Sequence, residues 1–369
     1  MRFRCIHRAL KKPILFLTTI FTLLFISSIP VSATEKDDPD SGKNILLGDL
    51  IEAPESLSYD PLVQEMIDLV MTDTVRTYIE GLTGVTGVLV GGSPYTITTR
   101  YSMTEIPISK TTQYVYENFL SLGLTVDYHN YSLPNAGTRR NVIAEQPGKS
   151  PSCIYIVGAH LDDLSESQYR YSLAPGADDN ASGSTAILVA ADILSQYEFI
   201  CTIRYALFTG EEQGSYGSDD YAAKLADGGI NIGGYLNLDM ISYNSDSSPI
   251  VDLHTRPMNS EDIAIAYYFT GVVGTYSLGL TPNIKQDGME YSDHASFWLY
   301  GYPAILAIED SNDETPYYHT IDDEVHTLDF RYFINFIKAA VGATAVMAGP
   351  VHETFFSLYL PTVGNHWDY

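Results

Sequence analysis

Basic residues are scarce in this chain of 369 residues: 20 Lys and Arg stand against 46 Asp and Glu, a formal net charge of −26. So acidic a surface repels phosphate backbones and anionic lipid, which speaks against nucleic-acid binding and against a role on a membrane surface. Cysteine is scarcer still, with only Cys5, Cys153 and Cys201. None of them stands among the polar motifs described below, so cysteine chemistry is not the basis of function. Cys153 and Cys201 each open an apolar, strand-like run, and a disulfide between them and a pair of buried thiols are equally compatible with the sequence. No internal repeat and no Gly/Ser-rich linker interrupts the chain. Its 45% hydrophobic and 18% charged residues suffice for one large core, so a single domain is expected.

Long apolar runs are also lacking, with one exception at residues 14–29. Arg2, Arg4, Arg8, Lys11 and Lys12 precede that run, and Val31, Ser32 and Ala33 follow it. A basic start, an apolar core shorter than the roughly 20 residues that span a bilayer, and a small-residue site read as a secretory signal cleaved after Ala33. Extracellular location is the corresponding expectation, with no stable membrane association after cleavage. Removing the five bases of residues 1–33 leaves 15 bases against 46 acids, a net charge of −31. Residues 34–46 are an acidic, flexible lead-in. Residues 47–350 carry the domain, and residues 351–369 form a tail with no assigned role.

Apolar residues recur at helical spacing over residues 60–82, and a second helix is expected over 110–122, opened by Ser109. Short β-branched runs then alternate with helical segments. Strands are expected at 124–131, 140–144, 153–159, 202–209, 232–238 and 304–308, and helices at 184–197, 218–226, 261–273 and 330–347. This rhythm predicts an α/β fold with a mixed, mostly parallel central sheet and helices on both faces. His160, Glu211 with Glu212, and Asp239 each follow an apolar strand. Three strand ends therefore bring polar groups to one edge of the sheet, where open α/β sheets place their sites.

The motifs at those ends have the residue types of a metal centre. His160 lies in GAHLDD, and Asp162 two residues on is placed to accept the second ring N–H of a liganding imidazole. Asp178 and Asp179 lie in PGADDNASGS before a helix, where they serve equally as an acidic cap or as a carboxylate held between two cations. In FTGEEQGSYGS, two adjacent glutamates would repel each other unless cations or a shared proton relieved them. Glu212 can bind metal while Glu211 takes a proton from water. Asp239 in NLDM closes an apolar strand, where an unpaired charge is costly. SDHASFW and YYHTIDDE offer His294 and His319; His319 is the ligand choice, and Tyr318 beside it can donate a hydrogen bond to an oxyanion. His254 and His326 read as ordinary surface histidines. Two imidazoles and three carboxylates, one of them bridging, supply three ligands to each of two zinc ions.

In this order GAHLDD, PGADDNASG, FTGEE, NLDM, SDHASFW and YHTIDD resemble the secreted zinc aminopeptidases, whose superfamily also holds glutamate carboxypeptidase, glutaminyl cyclase and the transferrin receptor ectodomain. The resemblance runs over about residues 60–350 and the ordered set is specific where each piece alone is not. It implies the zinc exopeptidase fold, related to that of the phosphorylase and hydrolase folds. It also implies that Asp179 rather than Asp178 bridges two Zn2+, with His160 and Asp239 on one and Glu212 and His319 on the other. Glu211 would be the general base, Tyr318 would steady the tetrahedral intermediate, and Asp162 would orient His160. A cis peptide between Asp179 and Asn180 is implied as well. Some secreted members carry a disulfide just before the motif SDHAS; this chain has Asp287, Gly288, Met289, Glu290 and Tyr291 there, so that rim of the pocket is built differently. The expected function is hydrolysis of the N-terminal peptide bond of peptides or proteins, with a leucine-like first residue. The alternatives are a carboxypeptidase or glutaminyl cyclase of the same superfamily, or a binding ectodomain without catalysis.

Overall fold

The computed structural model describes residues 57–352. The expected signal, the acidic lead-in and all of the tail beyond residue 352 lie outside the described residues. The chain opens with α1 (Pro61–Asp68) and α2 (Thr72–Leu82), then a hairpin of β1 (Val88–Val90) and β2 (Ser93–Tyr95), and α3 (Ile106–Ser121). Next come β3 (Thr125–Leu133), β4 (Gly137–Gln146), β5 (Ser150–His160), α4 (Gly183–Leu194), β6 (Cys201–Phe208) and α5 (Tyr216–Asp227). They are followed by β7 (Gly234–Leu238), β8 (Ile250–His254), α6 (Ser260–Thr275), β9 (Thr281–Lys285), α7 (His294–Leu299), β10 (Ala304–Glu309) and α8 (Phe330–Ala348).

Eight strands form one sheet in the order β3-β4-β6-β5-β7-β10-β8-β9. Its centre, β6-β5-β7-β10, is parallel throughout, β8 and β9 are also parallel, and the remaining pairs are antiparallel. Successive residues of a strand point to opposite faces, and here both faces are apolar. Val157, Ala159, Tyr205, Leu207, Leu236 and Ile305 join the core shared with α4 and α8. Their neighbours Ile156, Ala206, Phe208, Tyr235 and Ala304 join a second core with Tyr221 and Leu225 of α5 and Phe297 of α7. Covering both faces is what allows a parallel centre, because each crossover lays a helix across the sheet.

Three expectations are corrected. Residues 60–82 are two helices, not one: Asp60 caps α1, Pro61 stands in its first turn, and the chain is extended at Met71 before α2 restarts. Both helices bury residues of the same periodic set, Val63, Met66 and Ile67 from the first and Val75, Ile79 and Leu82 from the second, so periodicity runs through the break. The helix expected from 110 begins at Ile106, with Pro107 in its first turn, where a missing N–H costs nothing. The strands β8 and β9 and the helix α7, each five or six residues long, were not anticipated. Cys153 and Cys201 form a disulfide between the starts of β5 and β6. Among the described residues no helix is long and apolar enough to cross a membrane.

Candidate metal centre

The parallel strands β5, β6 and β7 end on the same edge of the sheet. His160 is the last residue of β5, Asp239 follows β7, and Glu211 and Glu212 follow β6 after Thr209 and Gly210. Gly210 has φ +78°, and a Cβ there would stand 2.5 Å from the Tyr131 hydroxyl, so the turn that aims the two glutamates needs glycine. Asp179 enters from the turn Ala177–Ser182 that leads into α4, and His319 from the loop beyond β10.

Five of the expected residues come together in two groups of three: His160, Asp179 and Asp239, and Asp179, Glu212 and His319, the offered atoms of each group lying within 4.8 Å of one another. Asp179 is common to both and its two oxygens face different imidazoles. Its Oδ1 is 3.2 Å from His160 Nε2 and its Oδ2 is 3.2 Å from His319 Nε2. His160 Nε2 is also 3.1 Å from Asp239 Oδ1, and His319 Nε2 is 2.9 Å from Glu212 Oε2. Ligands of a tetrahedral zinc at about 2.0–2.2 Å stand roughly 3.4 Å from one another, close to these spacings. Two orphaned atoms point the same way. His319 Nε2 lies near two carboxylate oxygens yet makes no directed hydrogen bond, and Glu212 Oε1 is buried without a partner. The donor set and its geometry fit a pair of zinc ions.

The supporting atoms are fixed in turn. His160 Nδ1 lies 3.1 Å from the main-chain oxygen of Asp162 and 3.9 Å from the Asp162 carboxylate. Asp162 thus meets the ring mainly through its carbonyl; its Oδ1 accepts instead from the Glu211 N–H at 3.3 Å. The expectation named the carboxylate, whereas the nearer atom is the main-chain oxygen. Ring N–H donation to the carbonyl leaves Nε2 free to offer its lone pair to a cation. Asp239 Oδ2 accepts from Ser292 Oγ at 2.6 Å, Ser292 accepts from Asn237 Nδ2 at 2.7 Å, and Tyr235 donates to Asn237 Oδ1 at 2.7 Å. The buried Asp323 accepts the main-chain N–H groups of Asp178 at 2.9 Å and Asp179 at 3.0 Å, and the Asp179–Asn180 peptide is cis. Sequence reasoning missed Asn237, Ser292 and Asp323; for Asn237 the available signal was its alternation with Tyr235 along the buried β7 that leads to Asp239.

Electrostatics divide these carboxyls. Burial works to raise Asp179, but the two imidazoles outweigh it and hold the group below its usual range. Burial likewise opposes charge on the imidazoles, yet the facing carboxylates keep His160 well above its ordinary value and raise His319 to about 10. Positive charge is therefore favoured between the carboxylates, the charge that metal ions supply when they displace such protons. Glu212 is raised to about 8 by burial and by Asp179. Glu211 is pushed well above the carboxylate range by burial, with Asp293 and Glu212 adding to it against the pull of His160.

Glu211 and Tyr318 line a cavity of about 520 Å³ together with His160, Asp179 and Asp239. The Tyr318 ring is half exposed and stacks on His319 with centroids 3.7 Å apart, and His319 itself has φ +56°, a left-handed backbone uncommon outside glycine. His294 belongs to neither group; its Nε2 meets Met289 O at 2.7 Å. His326 is exposed beside Glu324. His254 is not a surface residue: it is fully buried at the end of β8, its imidazole held against Asp287, a placement invisible without the unforeseen strands.

Comparison with known proteins adds three findings. The profile of Peptidase family M28 matches residues 141–343, more than half of the chain. Leucine aminopeptidase 1 of Trichophyton rubrum is 31% identical over 231 residues, 60% of this chain and 59% of that protein; leucine aminopeptidase 1 of Trichophyton equinum is 32% identical over 222 residues, 57% and 58%. The chain thus spans little more than half the length of the curated relatives it matches. In structure it resembles LapB from Legionella pneumophila, with a TM-score of 0.68, 19% identity and coverage of 80% of this chain and 77% of that one. It also resembles the glutaminyl cyclase of Fimbriiglobus ruber, with a TM-score of 0.62, 16% identity and coverage of 75% and 96%. At such identities these likenesses show the shared fold.

Proposed function

Since the chain belongs to peptidase family M28, we propose that it is a zinc aminopeptidase that binds two Zn2+ and removes the first residue from peptides or proteins. The observation that carries this reading is the placement of the two Asp179 oxygens on separate imidazoles, with Glu211 in the same cavity. His160 and Asp239 would hold one ion, Glu212 and His319 the other, and Asp179 both. Two zinc ions so held would activate water and polarise the carbonyl of the scissile bond.

The remaining steps fall to the chain's own side chains. Glu211, as the carboxylate, would take the proton of the attacking water, hold it while surrounded by other carboxylates, and return it to the leaving amine. The Tyr318 hydroxyl, on the cavity wall, donates to the oxyanion as the carbonyl becomes tetrahedral. The acidic surroundings favour a free α-ammonium group in the substrate. Met240, Leu306 and Ile308 in the wall suit a largely apolar first side chain. The signal-like residues 1–33 support export, and the excess of acids supports a partner set of peptide N-termini without nucleic acid or stable membrane association.

Zinc content measured beside hydrolysis of leucine p-nitroanilide and its N-acetyl form tests this. About two zinc ions per chain, with activity abolished by chelation, restored by zinc and confined to the free amine, is the expected result. Comparable cleavage of the acetylated substrate would refute an aminopeptidase.

A further inference from the structure

The cavity at the metal centre continues along an apolar wall that includes Met240, Met289, Tyr291, Leu306 and Ile308. Among the polar side chains set into that wall is His254. His254 closes β8 opposite Leu306 of β10, and its side chain is 1% exposed. Its Nδ1 lies 3.0 Å from both carboxylate oxygens of Asp287. The other ring nitrogen, Nε2, is buried and has no hydrogen-bond partner. Asp287 also accepts the Met289 N–H at 3.2 Å, and Met289 O meets His294 at 2.7 Å. The rim segment 287–291 is thus tied down and the His254 ring is held in one orientation. A buried polar atom without a partner calls for an explanation, and in a cavity wall a ligand group supplies one.

Resting on the aminopeptidase reading, we propose that this cavity receives the first side chain of the substrate and that His254 Nε2 hydrogen-bonds to its end. The enzyme then favours a first residue with an apolar stem and an amide end, glutamine in kind, over an aliphatic residue of equal length. An amide carries both a donor and an acceptor, so it pairs with the ring nitrogen whether that atom bears a hydrogen or a lone pair. An aliphatic end leaves Nε2 unpaired, and sites built around a hydrogen bond reject ligands that lack it. A carboxylate end is disfavoured by Glu314 in the same lining. An ammonium end gains little from Glu309, whose oxygens already accept the Tyr243 and Thr315 N–H groups, which leaves Glu314 to attract it.

The test is kcat/KM for the p-nitroanilides of glutamine and norleucine, matched in length, in the parent enzyme and in His254→Leu, His254→Gln and Asp287→Asn, with zinc content measured on each. The parent should favour glutamine. The glutamine-to-norleucine ratio should fall about tenfold in His254→Leu and recover in His254→Gln, whose amide restores a hydrogen-bonding group. Asp287→Asn, at the rim with its side chain 41% exposed, lowers the same ratio by freeing the ring, and serves where His254→Leu does not fold. Hydrolysis of both substrates with an unchanged ratio in the variants overturns the inference and leaves the aminopeptidase standing. A zinc-loaded parent that hydrolyses neither anilide overturns both.

Discussion

Asp178 and Asp179 share a residue type, a turn and near-complete burial, yet Asp179 faces the imidazoles of His160 and His319 while Asp178 faces Ser242 and Glu309. The imidazoles hold Asp179 ionised. Burial raises Asp178 to about 6, although Glu309 and the Ser242 hydroxyl and N–H work against the rise, and burial together with Asp178 raises Glu309 well above its ordinary value. A buried carboxyl beside cationic partners stays charged and open to metal, while one beside neutral donors and another carboxyl is pushed toward its protonated form and becomes scaffold. In the proposed reading the front cluster does the chemistry and the rear cluster keeps it in place.

Exchanging the two aspartates gives the sharpest contrast. Asp179→Asn should lower kcat/KM by roughly 10³-fold or more and leave less than two zinc ions per chain. Asp178→Asn should change kcat/KM by less than about tenfold. Equal losses measured by steady-state kinetics and elemental analysis would erase the distinction between the clusters. Within the front cluster, Glu211→Gln should reduce kcat by about 10²–10⁴-fold with zinc content unaltered; a variant that works at the parent rate would remove Glu211 from the role of base. At the joint between the clusters, Asp323→Asn weakens the hold on the Asp178 and Asp179 N–H groups, and zinc titration should show affinity about 10–100-fold lower. In the rear cluster, Ser242→Ala deletes one donor to Asp178 at a cost of about 1 kcal/mol. That should appear as a small drop in thermal midpoint with zinc content and kcat unchanged, and a loss of activity in this variant would show the rear cluster to be more than scaffold.

Much of the front cluster could be read from the chain, while the choice of Asp179 over Asp178 came from the resemblance. An apolar run followed by His160, by the pair Glu211 and Glu212, or by Asp239 is a local pattern, and a parallel sheet converts such patterns into neighbours because its strands end on one edge. Support for those residues was harder to see. Asp162 was found by its spacing, but whether its carbonyl or its carboxylate meets His160 depends on how the chain bends after β5. Asp323 lies in a motif that the sequence flagged for His319, yet its task concerns the turn 145 residues earlier. Ser292 and Asn237 look like ordinary polar residues until the strand and the loop are brought together.

The sequence by itself determined the residue types of the site, their attachment to strand ends, the α/β class and the acidic charge balance, all of which follow from composition and short-range alternation. Only the tertiary structure decided that His254 is buried against Asp287, 33 residues away, and that Cys153 is bonded to Cys201, 48 residues away. It alone decided which oxygen of Asp179 faces which imidazole. Those outcomes depend on contacts between distant segments and on the direction of single side chains, which no local periodicity encodes.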